Sequence, residues 1–536
     1  LKFTTIFKGM AMSPFVLLAV LFMPTAVLCK DFFTAAVFEH QTRGSDVAVK
    51  NLQEAMNRNL KLYAKAASIA SQNGVDILVF NEYGLIDDPE NQGEMGRYAE
   101  NIPDPTKQKS NPCIEDHNNR IRLSTISCLA RENHMYVVAN LIDVQECDEF
   151  CHENDVENCA SECPNDGVFI YNTNVAFDRE GNLIAKYHKM HPYFESADTA
   201  QPNFVTFDTE FGKFGLIICF DSVFGESVEL AREYGIDTMV FPTYWFDSIA
   251  VLNAVELQQA WALANNVNFL AANAQYAETG SLGSGIFSKD SGYLVYTYDN
   301  DGDSKLLMAN LKIKEDAEVP DISSIIVVRE DIAFLKSEET GSNFPANCFK
   351  ESVGPAKSIN DYRCIRPMTE NFTITKLNDP SGEIESCNNG FCCSLKYSTD
   401  GLEDEIYLAA VYGSSNVKNF YFWWEETCLL IRCDPFNGKE CVMQPTTSKT
   451  VFKSLEMRAK FEAERIYPTV TKNYYRLAPK EEWTVETIET ETILRFHSIF
   501  ETPLVKVALM GRNYKRDPPF IPFNAPRGSG LSDFAP

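Results

Sequence analysis

The chain predicts an α/β layered domain followed by a smaller β-rich, disulfide-stapled domain. Two observations carry this. Up to about residue 325, apolar runs of strand length alternate with stretches of helical period. Beyond it, long helical periods become rare, and short aromatic and aliphatic runs alternate with Gly, Asn, Asp and Cys clusters. At 536 residues the chain exceeds one ordinary core. The expected organisation is a targeting segment over 1–29, a first domain over 30–325 and a second over 326–536. No internal repeat and no low-complexity run interrupts it.

The elements follow in order. Phe32–Val37 reads as a strand, and Val47–Ala70 as an amphipathic helix with Leu52, Ala55, Met56, Leu60, Tyr63 and Ala66 near helical spacing. Val75–Phe80 is an apolar strand running into Asn81-Glu82. Ile121–Glu132 is a helix, followed by a strand over Met135–Leu141. Val168–Phe177 and Leu183–Lys189 form a hairpin across Asp178-Arg179-Glu180-Gly181-Asn182. The run Phe214–Cys219 reads as a buried strand ending in a thiol. Thr238–Phe241 and Asn268–Ala272 are further strands, with a helix over Ala254–Asn265 between them. In the second half, Glu405–Tyr412 and Phe420–Trp424 are strand candidates, and Trp423-Trp424 reads as core.

Composition narrows the class. The formal net charge of −27 argues against nucleic acid as a partner, because a phosphate backbone demands a basic face. The apolar stretch Pro14–Leu28, after Lys2 and Lys8, reads as a secretory signal with cleavage after Cys29. It is short and broken by Pro24, and no later segment is apolar for long enough to span a bilayer. The expectation is a secreted, extracellular protein without a stable membrane anchor, monomeric or weakly oligomeric. Asn371-Phe372-Thr373 is a glycosylation sequon that suits this compartment.

Of the 16 cysteines, Cys29 leaves with the signal, seven lie before residue 330 and eight after it. An oxidising compartment favours pairing, so the odd count leaves at least one thiol free in the first half. Cys128, on a helix face, is most simply a buried free thiol. Cys147/Cys151 and Cys159/Cys163, with His152 between them, have a spacing that could hold zinc, but the compartment favours disulfides and no metal is expected.

The three strand ends suggest chemistry. Cys219, Glu82 and Lys189 bring a thiol, a carboxylate and an ammonium to the edge where ligands of α/β sheets bind. A thiol needs a neighbouring base or cation to attack an amide carbon. No histidine follows Cys219 until His497, so a Cys–His pair in the usual order is hard to assemble. Glu82 can serve as the base if burial raises its proton affinity, and Lys189 can hold the oxyanion together with backbone N–H groups. No cofactor is required. Taken singly, each residue has a plainer explanation: a structural cysteine, a capping carboxylate, a snorkelling lysine. His188 and His191, which flank Lys189, are explained as well by packing.

Glu82 after its apolar strand, Tyr187-His188-Lys189-Met190-His191 and Ile218-Cys219-Phe220-Asp221 resemble the Glu–Lys–Cys motifs of the nitrilase superfamily. Phe33–His40, Phe241-Pro242-Thr243-Tyr244-Trp245, Gly283-Ser284-Gly285-Ile286, Cys387-Asn388-Asn389-Gly390-Phe391-Cys392-Cys393 and Cys428–Cys433 resemble the vanin and biotinidase branch of it. The resemblance runs from about residue 30 to past 440. It implies a nitrilase-type α-β-β-α sandwich with a β-rich C-terminal domain packed on it. It further implies hydrolysis of a linear amide, pantetheine first and biotin amides as the alternative, with Cys219 as nucleophile, Glu82 as acid/base and Lys189 stabilising the tetrahedral intermediate. Glu195, six residues after Lys189, matches the superfamily's second glutamate and would orient Lys189 or the base. Asn81 departs from the usual Pro before the glutamate. Tyr244 replaces a small residue before Trp245, and if these two line the acyl pocket, Tyr244 narrows it. A secreted binding protein that keeps the fold without turnover is the rival reading.

Overall fold

The computed structural model describes residues 30–42, 52–86, 92–115, 119–147, 163–247, 251, 253–276, 281–299, 301–314, 316–335, 371–417, 419–433, 441 and 445–523. The first half builds two sheets. The larger contains β1 (Phe32–Glu39), β2 (Ile77–Phe80), β3 (Tyr136–Glu146), β4 (Val168–Phe177), β5 (Leu183–His188), β12 (Ser304–Lys312), β13 (Ser323–Val328) and β14 (Ala333–Leu335), in the order β14-β13-β12-β1-β2-β3-β4-β5. The smaller contains β6 (Thr206–Thr209), β7 (Gly212–Leu216), β8 (Thr238–Thr243), β9 (Asn268–Asn273), β10 (Ser284–Ser288) and β11 (Gly292–Thr297), in the order β11-β10-β9-β8-β7-β6. Parallel pairing of β1 with β2, β2 with β3, β7 with β8 and β8 with β9 puts the ends of these central strands on one edge.

The layering follows from period two along strands buried on both faces. Ala35, Val37, Ile77 and Val79 turn toward the second sheet and share a core with Phe214, Leu216, Met239 and Val240. Their neighbours Ala36, Phe38, Leu78 and Phe80 face α1 (Leu52–Gln72) and α3 (Ile121–Asn133), packing on Tyr63, Ala66, Leu123 and Ile126. The short α2 (Gln92–Tyr98) packs by Met95 on Ile142 and Ile170, away from this layer. α4 (Gly225–Glu233) follows the nucleophile turn, and α5 (Ala254–Asn265) covers the second sheet. This is the α-β-β-α sandwich. The start of the helix expected from Val47 lies outside the described residues.

The C-terminal half is a pair of antiparallel sheets. One holds β15 (Thr373–Lys376), β18 (Ile406–Val417), β19 (Tyr421–Arg432), β25 (Leu504–Arg512), β21 (Arg465–Lys472) and β22 (Arg476–Leu477), in that order. The other holds β16 (Ser381–Asn388), β17 (Phe391–Thr399), β20 (Phe452–Lys460), β24 (Glu491–His497) and β23 (Trp483–Ile488). The first packs on α5, which is therefore buried all round, as its apolar circumference requires. Glu256 of α5 is fully buried and pairs with Lys506 at 2.5 Å, while Thr471 Oγ1 donates to its other oxygen. Trp423 is core, as expected, whereas Trp424 is half-buried.

Three expectations need correction. The strand before the nucleophile ends at Leu216, and Cys219 opens a 3₁₀ turn over Cys219–Val223. Cys128 is not free: it pairs with Cys113. The sheet of the first half continues through β13 and β14, so a boundary at 325 falls inside a strand. Cys147–Cys163, Cys387–Cys392, Cys393–Cys428 and Cys433–Cys441 are further disulfides, which removes Cys147 and Cys163 as zinc ligands. Cys151, His152 and Cys159 lie outside the described residues.

Candidate active site

Glu82, Lys189, Glu195 and Cys219 meet at the shared strand edge, and each is 6% exposed or less. Glu82 follows β2. Its Oε1 accepts from Lys189 Nζ and from Asn172 Nδ2, both at 2.7 Å, and its Oε2 accepts from the Tyr244 backbone N–H at 2.7 Å. Lys189 follows β5 and also donates to Glu195 Oε1. The same Glu195 oxygen accepts from the Tyr193 N–H at 3.0 Å, and Oε2 accepts from Tyr83 Oη and Asn172 Nδ2, each at 2.8 Å. Asn172 thus bridges the two carboxylates with its amide nitrogen, and its own oxygen accepts from Asn140 Nδ2 at 2.7 Å.

Cys219 is the free cysteine among the described residues. Its φ of 44° is left-handed, a conformation costly for a side chain with a Cβ. Asp221, fully buried, holds the turn. Its Oδ2 accepts from the Ile218 N–H at 2.9 Å and from Tyr187 Oη at 2.7 Å, and its Oδ1 accepts from the His191 N–H at 2.8 Å. Asn174 Nδ2 donates to the Ile217 carbonyl at 3.2 Å, tying the nucleophile segment to β4. Left-handed residues also adjoin the two glutamates: Tyr83 after Glu82 (52°) and Phe194 before Glu195 (52°). Strained backbone concentrated in this way is typical of sites whose geometry is held by their surroundings.

The electrostatics suit acid–base work. Burial pushes the Glu82 carboxyl above its ordinary range; Lys189 pulls against the rise, and the Glu195 charge adds to it. Burial alone would lower the Lys189 ammonium, but Glu195 and Glu82 outweigh it and hold it well above the usual lysine value. Burial, and then the Glu82 charge, hold the Cys219 thiol far above its normal value, with Lys189 opposing. The resting thiol keeps its proton. A carboxylate of raised proton affinity beside it can take that proton as the sulfur attacks, and a permanent ammonium can receive the negative charge that develops on oxygen.

The remaining residues singled out by sequence fall around this centre. Tyr244 contributes its backbone N–H to Glu82, while its half-buried ring lies against Phe246 and Tyr276. Trp245 is 4% exposed and belongs to the core, with its N–H on Asn273 Oδ1 at 2.8 Å. Gly283 takes a φ of 100°, and a Cβ there would meet the Tyr298 ring at 2.9 Å. Its N–H and Ser284 Oγ both hold buried Glu39. His188 stacks on Tyr171 and bonds Asp143, away from the carboxylate pair. His191 serves Asp221 and lines a groove of about 570 Å³ with Phe224, Glu226 and Tyr514, which none of Glu82, Lys189 and Cys219 lines. Asn371 is exposed. Asn172, Tyr83 and Asn140 were not picked out by sequence reasoning. Strand alternation in β4 places Asn172 and Asn174 on one face, the only signal available.

Comparison with known proteins agrees with the fold. The Carbon-nitrogen hydrolase family model matches residues 47–290, and that of the Vanin C-terminal domain matches residues 363–517. The protein is a hydrolase of carbon–nitrogen bonds other than peptide bonds. Biotinidase of Takifugu rubripes is 32% identical over 515 residues, covering 93% of this chain and 98% of the relative. Pantetheinase of Homo sapiens is 31% identical over 516 residues, covering 93% and 92%. The chain belongs to the vanin and biotinidase family. Among solved structures, an amidase from Nesterenkonia sp. aligns with a TM-score of 0.38 and 18% identity over 53% of this chain and 92% of its own.

Proposed function

We propose that the protein is a secreted amidohydrolase that splits pantetheine into pantothenate and cysteamine. The observation that carries the chemistry is the buried network in which Lys189 and Asn172 join Glu82 to Glu195 beside an unpaired Cys219. Glu82 takes the thiol proton as Sγ attacks the amide carbonyl. The oxyanion of the tetrahedral intermediate is balanced by the Lys189 ammonium. Glu82 returns the proton to the leaving amine, the C–N bond breaks, and an acyl-thioester remains on Cys219. Glu82 then accepts a proton from water, the hydroxide adds to the thioester, and the acid leaves as sulfur recovers its proton.

Pantetheine is preferred because pantetheinases recur among the relatives at 31% identity. Biotin amides are the second reading, favoured by the 32% identity to the fish biotinidase. Amine release from pantetheine and from biotinyl-lysine, measured side by side, separates the two. Release from neither refutes both. The described disulfides and the exposed sequon Asn371-Phe372-Thr373 support secretion and glycosylation. Among the described residues no helix is long and apolar enough to cross a membrane.

A further inference from the structure

One side chain of the C-terminal half reaches the loop that carries Glu195. Tyr421 opens β19, is 2% exposed, and puts its hydroxyl between two backbone groups. Tyr421 Oη accepts from the Phe194 N–H at 3.0 Å and donates to the Pro192 carbonyl at 3.0 Å. Phe194 is the residue held at φ 52°, and Glu195 follows it directly. The Tyr421 ring also packs on Phe194 (4.8 Å), Tyr193 (5.8 Å) and Phe220 (5.1 Å), the last being the neighbour of the nucleophile. Burial pushes the Tyr421 hydroxyl up to about 12, so it keeps its proton throughout the working range of pH.

An aromatic residue does not adopt a left-handed backbone without something to hold it there. The two hydrogen bonds to a single hydroxyl fix the carbonyl of 192 and the N–H of 194, which bracket the turn. The direction in which Glu195 leaves the turn is set with them, and Glu195 in turn holds Lys189 against Glu82. We propose that Tyr421 is a positioning residue of the active site: its hydroxyl holds the 192–194 turn that aims Glu195 at Lys189, so the C-terminal half completes the catalytic apparatus. The inference rests on the reading of Glu82, Lys189 and Cys219 as an amidase centre.

The test compares wild-type protein, Tyr421→Phe and the control Phe420→Ala. Phe420 packs on the same Phe194 ring but makes its contact without this hydroxyl. Amine release is followed against pH, together with alkylation of Cys219 by iodoacetamide and thermal melting. The titratable groups acting on Lys189 are Glu195, Glu82, Cys219 and Asp221. Of these, Tyr421→Phe displaces Glu195. Withdrawing that negative charge lowers the proton affinity of Glu82, Lys189 and Cys219 alike. Tyr421→Phe is expected to lower kcat by about 10- to 100-fold with KM within about threefold, as small misplacements of catalytic groups do. Both limbs of its pH–rate profile, and the pH dependence of alkylation, should move to lower pH. Phe420→Ala should lower the melting temperature and leave the profiles in place. If the wild-type protein turns over neither amide, the amidase reading fails, and the alkylation profile still decides the role of Tyr421. Profiles of Tyr421→Phe that coincide with wild type overturn the proposal, whatever happens to its melting temperature.

Discussion

Asn172→Ala probes the network with one deletion. The amide nitrogen donates to Glu82 at 2.7 Å and to Glu195 at 2.8 Å, so the substitution removes one of three donors to Glu82 and one of those to Glu195. Hydrogen bonds to charged groups contribute about 1.5–3 kcal/mol each. At about 1.4 kcal/mol per tenfold in rate, loss of the bond to Glu82 predicts a fall in kcat/KM of about 10- to 100-fold. The sign of the pH effect is also fixed. The Asn172 amide favours the carboxylate form of Glu82, so without it Glu82 binds its proton more tightly. The acid limb of kcat/KM then moves to higher pH, and the loss is largest in acid. Asn140 Nδ2 keeps Asn174 Oδ1 and the Thr173 carbonyl as acceptors, so the stability cost stays near 1–2 kcal/mol. The assay is amine release from pantetheine between pH 4 and 9, with a urea melt of the same preparation. A uniform loss of rate with an unmoved acid limb would refute the assignment of Glu82 as the base.

Three further outcomes are expected. Cys219→Ala should abolish turnover, by at least about 10³-fold, with an unchanged melting curve; residual amine release above that level would exclude the thioester route. Glu256→Gln strips the carboxylate from the buried Lys506 ammonium and should destabilise the chain by about 3–5 kcal/mol in a denaturant melt. Glu39 is held at about 7 instead of its ordinary 4.5, chiefly by burial, with Lys305 opposing. Its folded form therefore binds its proton more tightly than the unfolded chain does. Its unfavourable contribution is absent below pH 4.5 and grows to about 3 kcal/mol as pH rises through 7. Glu39→Gln should remove that slope, and stability curves that superimpose between pH 4.5 and 8 would argue against it.

The layers of the first half could be read from period and run length. The buried runs ending near Glu82, Lys189 and Cys219 carry a local signal, because a strand buried on both faces is a continuous apolar run. The turn at Cys219 carries none. The run of apolar residues continues through Ile217 and Ile218 after the ladder has ended at Leu216, and the left-handed φ rests on Asp221, whose partners are Tyr187 of β5 in the other sheet and His191 in the loop after it. Asn172 is hidden for a similar reason. It sits in the middle of a strand, and only the pairing of β4 with β3 and β5 carries it to Glu82. Cys113 and Cys128 stand 15 positions apart in sequence, a pairing no spacing rule gives. Tyr421 lies 227 residues from Phe194, beyond the reach of any local pattern.

The seclusion of Cys219 also bears on which reagents can reach it. Ten described cysteines are committed to disulfides, so this chain matures amid thiol–disulfide exchange while keeping Cys219 in the reduced form. Exchange and alkylation both follow the thiolate fraction and physical access, and a buried, tightly protonated sulfur offers little of either. General oxidants and small disulfides should therefore pass it by. A covalent reagent gains most by seating an amide-like group in the pose of the substrate, as iodoacetamide can, so that Glu82 removes the proton as the bond forms. Selectivity among electrophiles is thus built into the resting state of the nucleophile.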